Sequence, residues 1–436
     1  MGWILWRKYP WLFNEDEITM IKFSTYLAEA KLTHLEHLED AIFNDGYNGG
    51  VEALKILNGV ITTLQGNTSK GLNITSKVDG APSIIVGINP ENKKFFVATK
   101  ALFNKTPKIN YTDADIDANH GHAAALADKM KIALKYFPQL GIKGIWQGDF
   151  MFIASDIKKE TIDGEKMITF TPNTITYAVP IDQPLAKEIS SKKVGVIWHT
   201  QYSGKTIADL SAVFNVNVGS LKKSKDVWAG DVNFQDVSGT ATLTKPELKA
   251  VRQSIANAEA RLKKFNKKAM AVLFDPATAK SEGSIAFNLN IYINSLTRDG
   301  KGFVNKQKAV GGFIDFMRKR YQPKIDKLKS PKGKAKQQAE LDKMIKTING
   351  NRQMGANLAY AIEWHNDVAE IKLALIKKME QVSSLPAFIK KGNGYEVTGP
   401  EGFVAVDHAT NGAVKFVNRL EFSRNNFNAI KNWGGK

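Results

Sequence analysis

Lys77, Asp79 and Gly80 stand together in "SKVDGAPSIIVG", between "LNIT" and "PSIIVG", two runs that read as strands. A lysine and an aspartate two positions apart have no structural use at a strand end. They form either a solvated turn pair or a reactive group. The chemistry open to Lys77 is nucleophilic, because an unprotonated amine attacks carbonyl or phosphoryl centres. A free lysine titrates near 10.4, so only about one molecule in several thousand is unprotonated at pH 7. Its surroundings would have to lower that value, and neighbouring cations do so by disfavouring a second positive charge.

Other groups follow in order. Lys100 lies in "FVATKALF", Gly148 and Asp149 in "GIWQGDFMF", and Phe170 in "ITFTPN". Glu401 and Gly402 lie in "PEGFVAV", and Lys415 lies in "GAVKFVNR" with Arg419 beyond it. Alone, Lys-Xaa-Asp-Gly is a weak motif, and the ordered set gives it weight. In this order and in these strand contexts, residues 70–180 and 395–420 resemble the covalent nucleotidyltransferase superfamily. Its members are the ATP-dependent RNA and DNA ligases and the mRNA capping enzymes.

The resemblance implies an α+β protein with an antiparallel β core of the nucleotidyltransferase (ATP-grasp-like ligase) kind. Lys77 would attack the α-phosphate of ATP to give a lysine–AMP phosphoramide and pyrophosphate, with Asp79 and Lys415 as its catalytic partners. Gly80, Lys100, Asp149, Phe170, Glu401, Lys415 and Arg419 would bind the nucleotide with Lys77. Gly80 would let the backbone approach the nucleotide, and Phe170 would stack on the base. Asp149 and Glu401 would hold Mg²⁺ or Mn²⁺ and the ribose, since Mg²⁺ prefers a few carboxylate oxygens with waters and phosphate. Lys100, Lys415 and the metal would depress the Lys77 pKa and neutralise charge on the triphosphate. The AMP would pass to a 5′-phosphate and be displaced by a 3′-hydroxyl, joining RNA rather than DNA ends.

The sequence departs from that pattern at two places. The Gly-acidic motif ordinarily carries Glu, and Asp149 is one methylene shorter. The last motif ordinarily has a second lysine two positions on, where this chain has Val417, and Arg419 is expected to compensate from the same strand face. Glu282–Gly283 is a rival for the late glutamate, but only Glu401 is followed closely by a lysine-bearing strand. Phe170 also reads as plain core, and Glu401 with Lys415 as a cross-strand ion pair. The chain ends at Lys436, soon after Lys415, which is expected to leave no room for the OB-fold of DNA ligases and capping enzymes. As a whole, including "THLEHLED" and "TPNTITYAVPIDQPLAKEI", the chain also resembles an uncharacterised family of T4-like tailed bacteriophages. Two alternatives stay open. One is a catalytically silent fold serving phage nucleic-acid binding or virion assembly. The other is transfer of AMP or GMP to a protein or small molecule.

The elements that must position these groups are legible as pattern. Residues 1–19 are expected to be an upstream extension, because Met20 opens "MIKFSTYLAEAK". Helices are expected over Ser24–Phe43, ended by "NDGYNGG", and over Val51–Leu64, within an N-terminal segment 20–70. Residues 71–205 read as the first part of the core, with strands throughout and an amphipathic helix over 121–137. Residues 206–394 read as a linker and a basic helical insertion, after which 395–436 return as the final strands of the core.

The 436 residues carry 61 Lys+Arg against 43 Asp+Glu, a net +18, which favours a polyanionic partner. Half of that surplus lies between Lys306 and Lys346, where 13 basic residues face 4 acidic ones. Arg318, Lys319, Arg320, Lys324 and Lys327 are therefore expected to clamp nucleic acid. The chain has no cysteine, which excludes disulfides and thiolate metal sites and fits the cytoplasm, the host's if the protein is viral. No apolar run approaches the roughly 18 residues of a membrane span, so no membrane partner is expected.

Overall fold

The computed structural model describes residues 35–65, 72–213, 216–230, 242–301, 306–382, 387–391, 394–398, 401–407 and 412–423. The proposed extension 1–19 and residues 24–34 of the first expected helix lie outside them. In chain order the strands begin with β1 (Glu36–His37), β2 (Leu72–Lys77), β3 (Ser83–Ile88), β4 (Phe95–Ala98) and β5 (Ile145–Ile153). Then come β6 (Lys158–Ile162), β7 (Glu165–Phe170), β8 (Thr176–Pro180), β9 (Val194–Ser203), β10 (Ser211–Val213) and β11 (Val227–Gly230). The last four are β12 (Ala387–Lys391), β13 (Gly394–Thr398), β14 (Gly402–Asp407) and β15 (Gly412–Phe416).

The helices are α1 (Ala41–Asn44), α2 (Gly46–Thr63), α3 (Asp113–His120), α4 (Ala124–Tyr136) and α5 (Pro184–Ser190). A second group follows: α6 (Lys245–Leu262), α7 (Lys267–Leu273), α8 (Ile285–Arg298), α9 (Lys306–Lys327), α10 (Pro331–Asn349) and α11 (Arg352–Met379). This is a mixed α+β architecture whose sheets are largely antiparallel.

Three sheets result. The first runs β1-β15-β14-β2, the second β10-β9-β5-β3-β4 with β11 beside β9, and the third β13-β12-β8-β7-β6. The first sheet closes the chain on itself, because β14 near the C-terminus pairs antiparallel with β2, setting Gly402 opposite Lys77 and Val404 opposite Thr75. β15 pairs with β14 so that Lys415 stands opposite Val404. Alternation along these strands divides the sheet into two faces. Ile74, Phe403, Ala405 and Phe416 pack into a large apolar core with Leu57, Leu262, Leu358 and Leu375 of the helices. Thr75, Lys77, Val404, Val406 and Lys415 face the other way, toward the second sheet. The second sheet is backed by α3 and α4, through Ile116, Met130 and Phe137 against Val86, Phe150 and Trp198.

Some boundaries differ from expectation. "NDGYNGG" does end a helix, since α1 stops at Asn44, but α2 begins again at Gly46 and contains the later glycines. They are needed for packing, since a Cβ at Gly49 would sit 2.0 Å from the Ala41 carbonyl oxygen. Upstream of α1 the chain is a short strand and a 3₁₀ turn (Leu38–Asp40) rather than helix. The second sheet extends past residue 205 to β10 and β11, and β12 begins before residue 395. These strands are three to five residues long, too short to show a period.

Candidate active site

A cavity of about 260 Å³ opens between the first and second sheets. From the first sheet it is lined by Thr75, Ser76, Lys77, Val404, Val406 and Lys415. The second sheet contributes Ser83, Gln147, Asp149, Ile197, His199, Thr200 and Tyr202, and the exposed Lys100 follows β4 on a 3₁₀ turn. Strand alternation explains the pairs Thr75/Lys77, Gln147/Asp149 and Val404/Val406, each two residues apart and on one face.

Lys77 Nζ donates to Glu401 Oε2 at 2.5 Å. Glu401 is aimed by Gly402, whose φ of +142° favours glycine and whose added Cβ would lie 2.3 Å from the Phe416 carbonyl oxygen. Burial alone would lower the Lys77 pKa, but the carboxylates of Glu401, Asp149 and Asp79 outweigh it and hold the amine above the ordinary lysine range. The acidic neighbours thus oppose the depression expected from Lys100, Lys415 and a metal. Glu401 is pushed up by burial, which Lys77 only partly offsets. Lys415 is pushed down, first by burial and then by the positive charge of Lys77.

Asp149 Oδ2 lies 3.6 Å from His199 Nε2. Burial would raise the Asp149 carboxyl, but His199, Lys77 and Ser83 together hold it below the usual range. His199 reaches the cavity through a β-bulge: Gln147 pairs with Thr200 and Gly148 with Trp198, leaving His199 unpaired between them. The bulge turns the consecutive residues His199 and Thr200 into the same space, where they share a 2.8 Å contact between Nδ1 and Oγ1. Tyr202 donates to Gln147 at 2.5 Å, and Gln147 donates to Ser83 at 2.9 Å, fixing the polar wall.

With the Asp149 and Glu401 carboxylates near Lys77, the donor set would suit Mg²⁺, which is ordinarily held by one or two carboxylates plus substrate phosphates and waters. It does not suit a metal caged by protein alone, since no group of three or more His, Asp or Glu converges among the described residues.

A model described as a family of unknown function, DUF6267, matches residues 32–431. The chain belongs to that family. No curated protein and no solved structure matches it. The match spans every described strand of this DUF6267 protein and all of the cavity.

Several expected site residues of the DUF6267 chain lie elsewhere. Asp79 is 4 % exposed and does not line the cavity. Its carboxylate accepts from Asn173 Nδ2 and the Thr174 N–H at 2.7 Å, from the Thr174 hydroxyl at 2.6 Å and from the Ile175 N–H at 3.0 Å. Its own N–H donates to the Tyr177 hydroxyl at 2.7 Å. Asp79 thus latches the loop after Lys77 and positions that lysine. Gly80 is required by protein rather than ligand, as an added Cβ would meet Asp149 Cβ at 2.6 Å and the Phe150 carbonyl at 2.9 Å.

Phe170 is 1 % exposed and packed between Phe152 and Tyr177, at ring-centroid distances of 5.0 and 5.7 Å, so it is core and faces no cavity. Arg419 cannot replace the missing lysine, because the strand ends at Phe416 and a π-helical turn carries it away to Glu39 and Asp40. Val417 is 3 % exposed and lies in the apolar cluster around Phe152. Glu282 is exposed, paired with Arg320 and Lys324, and absent from the cavity lining. Two of the expected clamp residues are therefore already partnered. Arg318 sits 3.5 Å from Asp315, while Lys319 and Lys327 are exposed.

Proposed function

We propose that this protein is a covalent nucleotidyltransferase with the fold of that superfamily, loading Lys77 with AMP from ATP. The observation that carries the reading is one cavity shared by Lys77, Asp149 and Lys415, with Glu401 bonded to Lys77. Three lysines around a polar cleft suit a phosphate-bearing ligand. The volume of about 260 Å³ falls near the lower end of small-molecule pockets, roughly 300 Å³, so a triphosphate extends outward past exposed Lys100.

Lys77 rests as an ammonium bonded to Glu401 and must lose a proton before it reacts. Glu401 Oε2 is 2.5 Å away and holds the ammonium form, so that proton leaves to solvent and the unprotonated fraction sets the rate. The neutral amine attacks the α-phosphorus, a P–N bond forms, and the P–O bond to pyrophosphate breaks with the electron pair leaving on pyrophosphate. The phosphoramide nitrogen releases its remaining surplus proton to solvent. Lys100 and Lys415 offset the charge on the phosphates. Asp149 and Glu401 would hold Mg²⁺ together with the phosphates, and the metal would supply further charge neutralisation. The AMP then passes to a 5′-phosphate end, and a 3′-hydroxyl displaces it, which is polynucleotide ligation with RNA as the favoured substrate. A phage setting within the host cytoplasm belongs to the same reading and rests on the whole-chain likeness described above.

One observation favours a second reading. Burial of Val417 in apolar core leaves no cation in the slot of the superfamily's last lysine, as in a silent fold that only binds nucleic acid. Incubation with α-labelled ATP separates the two: label that survives a denaturing gel and is lost in Lys77→Ala supports the enzyme, and an unlabelled protein supports the silent fold.

A further inference from the structure

We propose that the turn joining α9 to α10 is a docking tip for the phosphate backbone of nucleic acid. Residues 327–336 read "KLKSPKGKAK", with lysines at 327, 329, 332, 334 and 336 and no acidic residue. All five are exposed. Among the described residues, none of the five forms an ion pair with a carboxylate. The contrast with the preceding turns of α9 is direct, because Arg320 and Lys324 share Glu282 and Arg318 approaches Asp315. Concentrated uncompensated charge repels itself and raises the local concentration of polyanions.

The chemistry of the tip selects the partner. Lysine is a compact point charge on a flexible stem, suited to phosphate and without the planar fork that reads base edges. Lys332 and Lys336 are one helical turn apart, about 6 Å along the axis, while Lys334 lies on another side of α10. The charges thus surround the tip, and the segment carries no aromatic side chain on which a base could stack. Such a surface positions a strand without reading its sequence.

An anionic membrane fits less well, because interfacial binding needs an apolar face beside the basic one. The apolar residues of α10, Leu341, Met344 and Ile348, are buried in the helical core, leaving Leu328 as the tip's exposed large hydrophobic residue. As the docking site of the polynucleotide acceptor, the tip rests on the reading above. As a binding site it stands on charge alone.

The test is fluorescence anisotropy of the full chain with a short single-stranded RNA, and with DNA of the same sequence, across a salt series. Changing all five lysines to Gln should weaken binding at least tenfold. It should also flatten the dependence of log affinity on log salt by about 0.7 for each phosphate that is no longer neutralised. The melting curve should match wild type, and Lys334→Glu alone should weaken binding in the same direction if the fivefold change perturbs folding. Lysine-dependent RNA or DNA binding supports the tip whether or not ATP labels the wild type, so a failure to label counts against the transfer reaction alone. Unchanged affinity and salt slope overturn the proposal, as does a wild type that binds neither nucleic acid. Lysine-dependent binding to phosphatidylserine vesicles with no binding to RNA or DNA overturns it in favour of a lipid surface.

Discussion

Lys77 and Glu401 form a 2.5 Å ion pair across 324 positions of sequence. The pairing of β2 with β14 makes this contact, placing Gly402 opposite Lys77. The helical segment between the two ends of the core therefore returns the chain to the strand that bears the lysine. The same pair determines how Lys77 rests, as an ammonium ion stabilised by carboxylates.

The first prediction concerns pH. Because Lys77 titrates above the ordinary lysine range, its reactive unprotonated fraction grows throughout neutral and mildly alkaline pH. Initial rates of lysine labelling at saturating ATP should rise about tenfold per pH unit between about pH 6 and 9. Glu401→Gln removes the largest favourable influence on the ammonium, so its profile should move to lower pH, with a smaller maximum rate. A wild-type rate that is flat above neutrality would contradict this account of the resting lysine.

Asp79 is assigned to positioning rather than catalysis, which makes a stability prediction. Its carboxylate receives four hydrogen bonds from Asn173 to Ile175. Asp79→Asn replaces one accepting oxygen by a donor facing other donors. The variant should lose about 2–4 kcal/mol in urea denaturation, the scale of buried donors left unpaired. A change within about 0.5 kcal/mol, the range of ordinary surface substitutions, would show that the latch does not hold the loop.

A buried charge cluster should govern the joint between the helices and the first sheet. Lys372 of α11 donates to both Glu39 oxygens at 2.7 Å, and Asp40 is bonded to His365 and Arg419. Lys372→Met leaves Glu39 buried without its principal partner and should cost about 3–5 kcal/mol. Adding Glu39→Gln should recover part of that loss, giving a positive coupling in a double-mutant cycle. Strict additivity would show that the pair is not coupled.

Much of this fold was readable as pattern. The strands around Lys77 and Asp149 and helix α4 announce themselves by alternation, turn residues and helical periodicity. Lys77, Lys100, Asp149 and Lys415 all line the cavity, and Glu401 meets Lys77. What could not be read depends on three-dimensional detail. His199 enters the cavity through a bulge, which shifts the strand's period by one residue and leaves no compositional mark. Gln147 and Tyr202 share faces with chosen residues but look like ordinary strand positions. Arg419 was expected to continue a strand that in fact ends at Phe416. Phe170 shows that an aromatic residue in a strand serves a core as readily as a ligand. The acidic surroundings of Lys77 emerge only when β14 is laid beside β2.

The most direct test of the central claim is covalent labelling. The full chain is incubated with α-³²P-ATP and Mg²⁺ or Mn²⁺, denatured, and run on a gel. The account predicts an acid-labile label that is absent from Lys77→Ala, with a peptide map placing AMP on Lys77. No label with ATP or GTP, or a label that persists in Lys77→Ala, would contradict it.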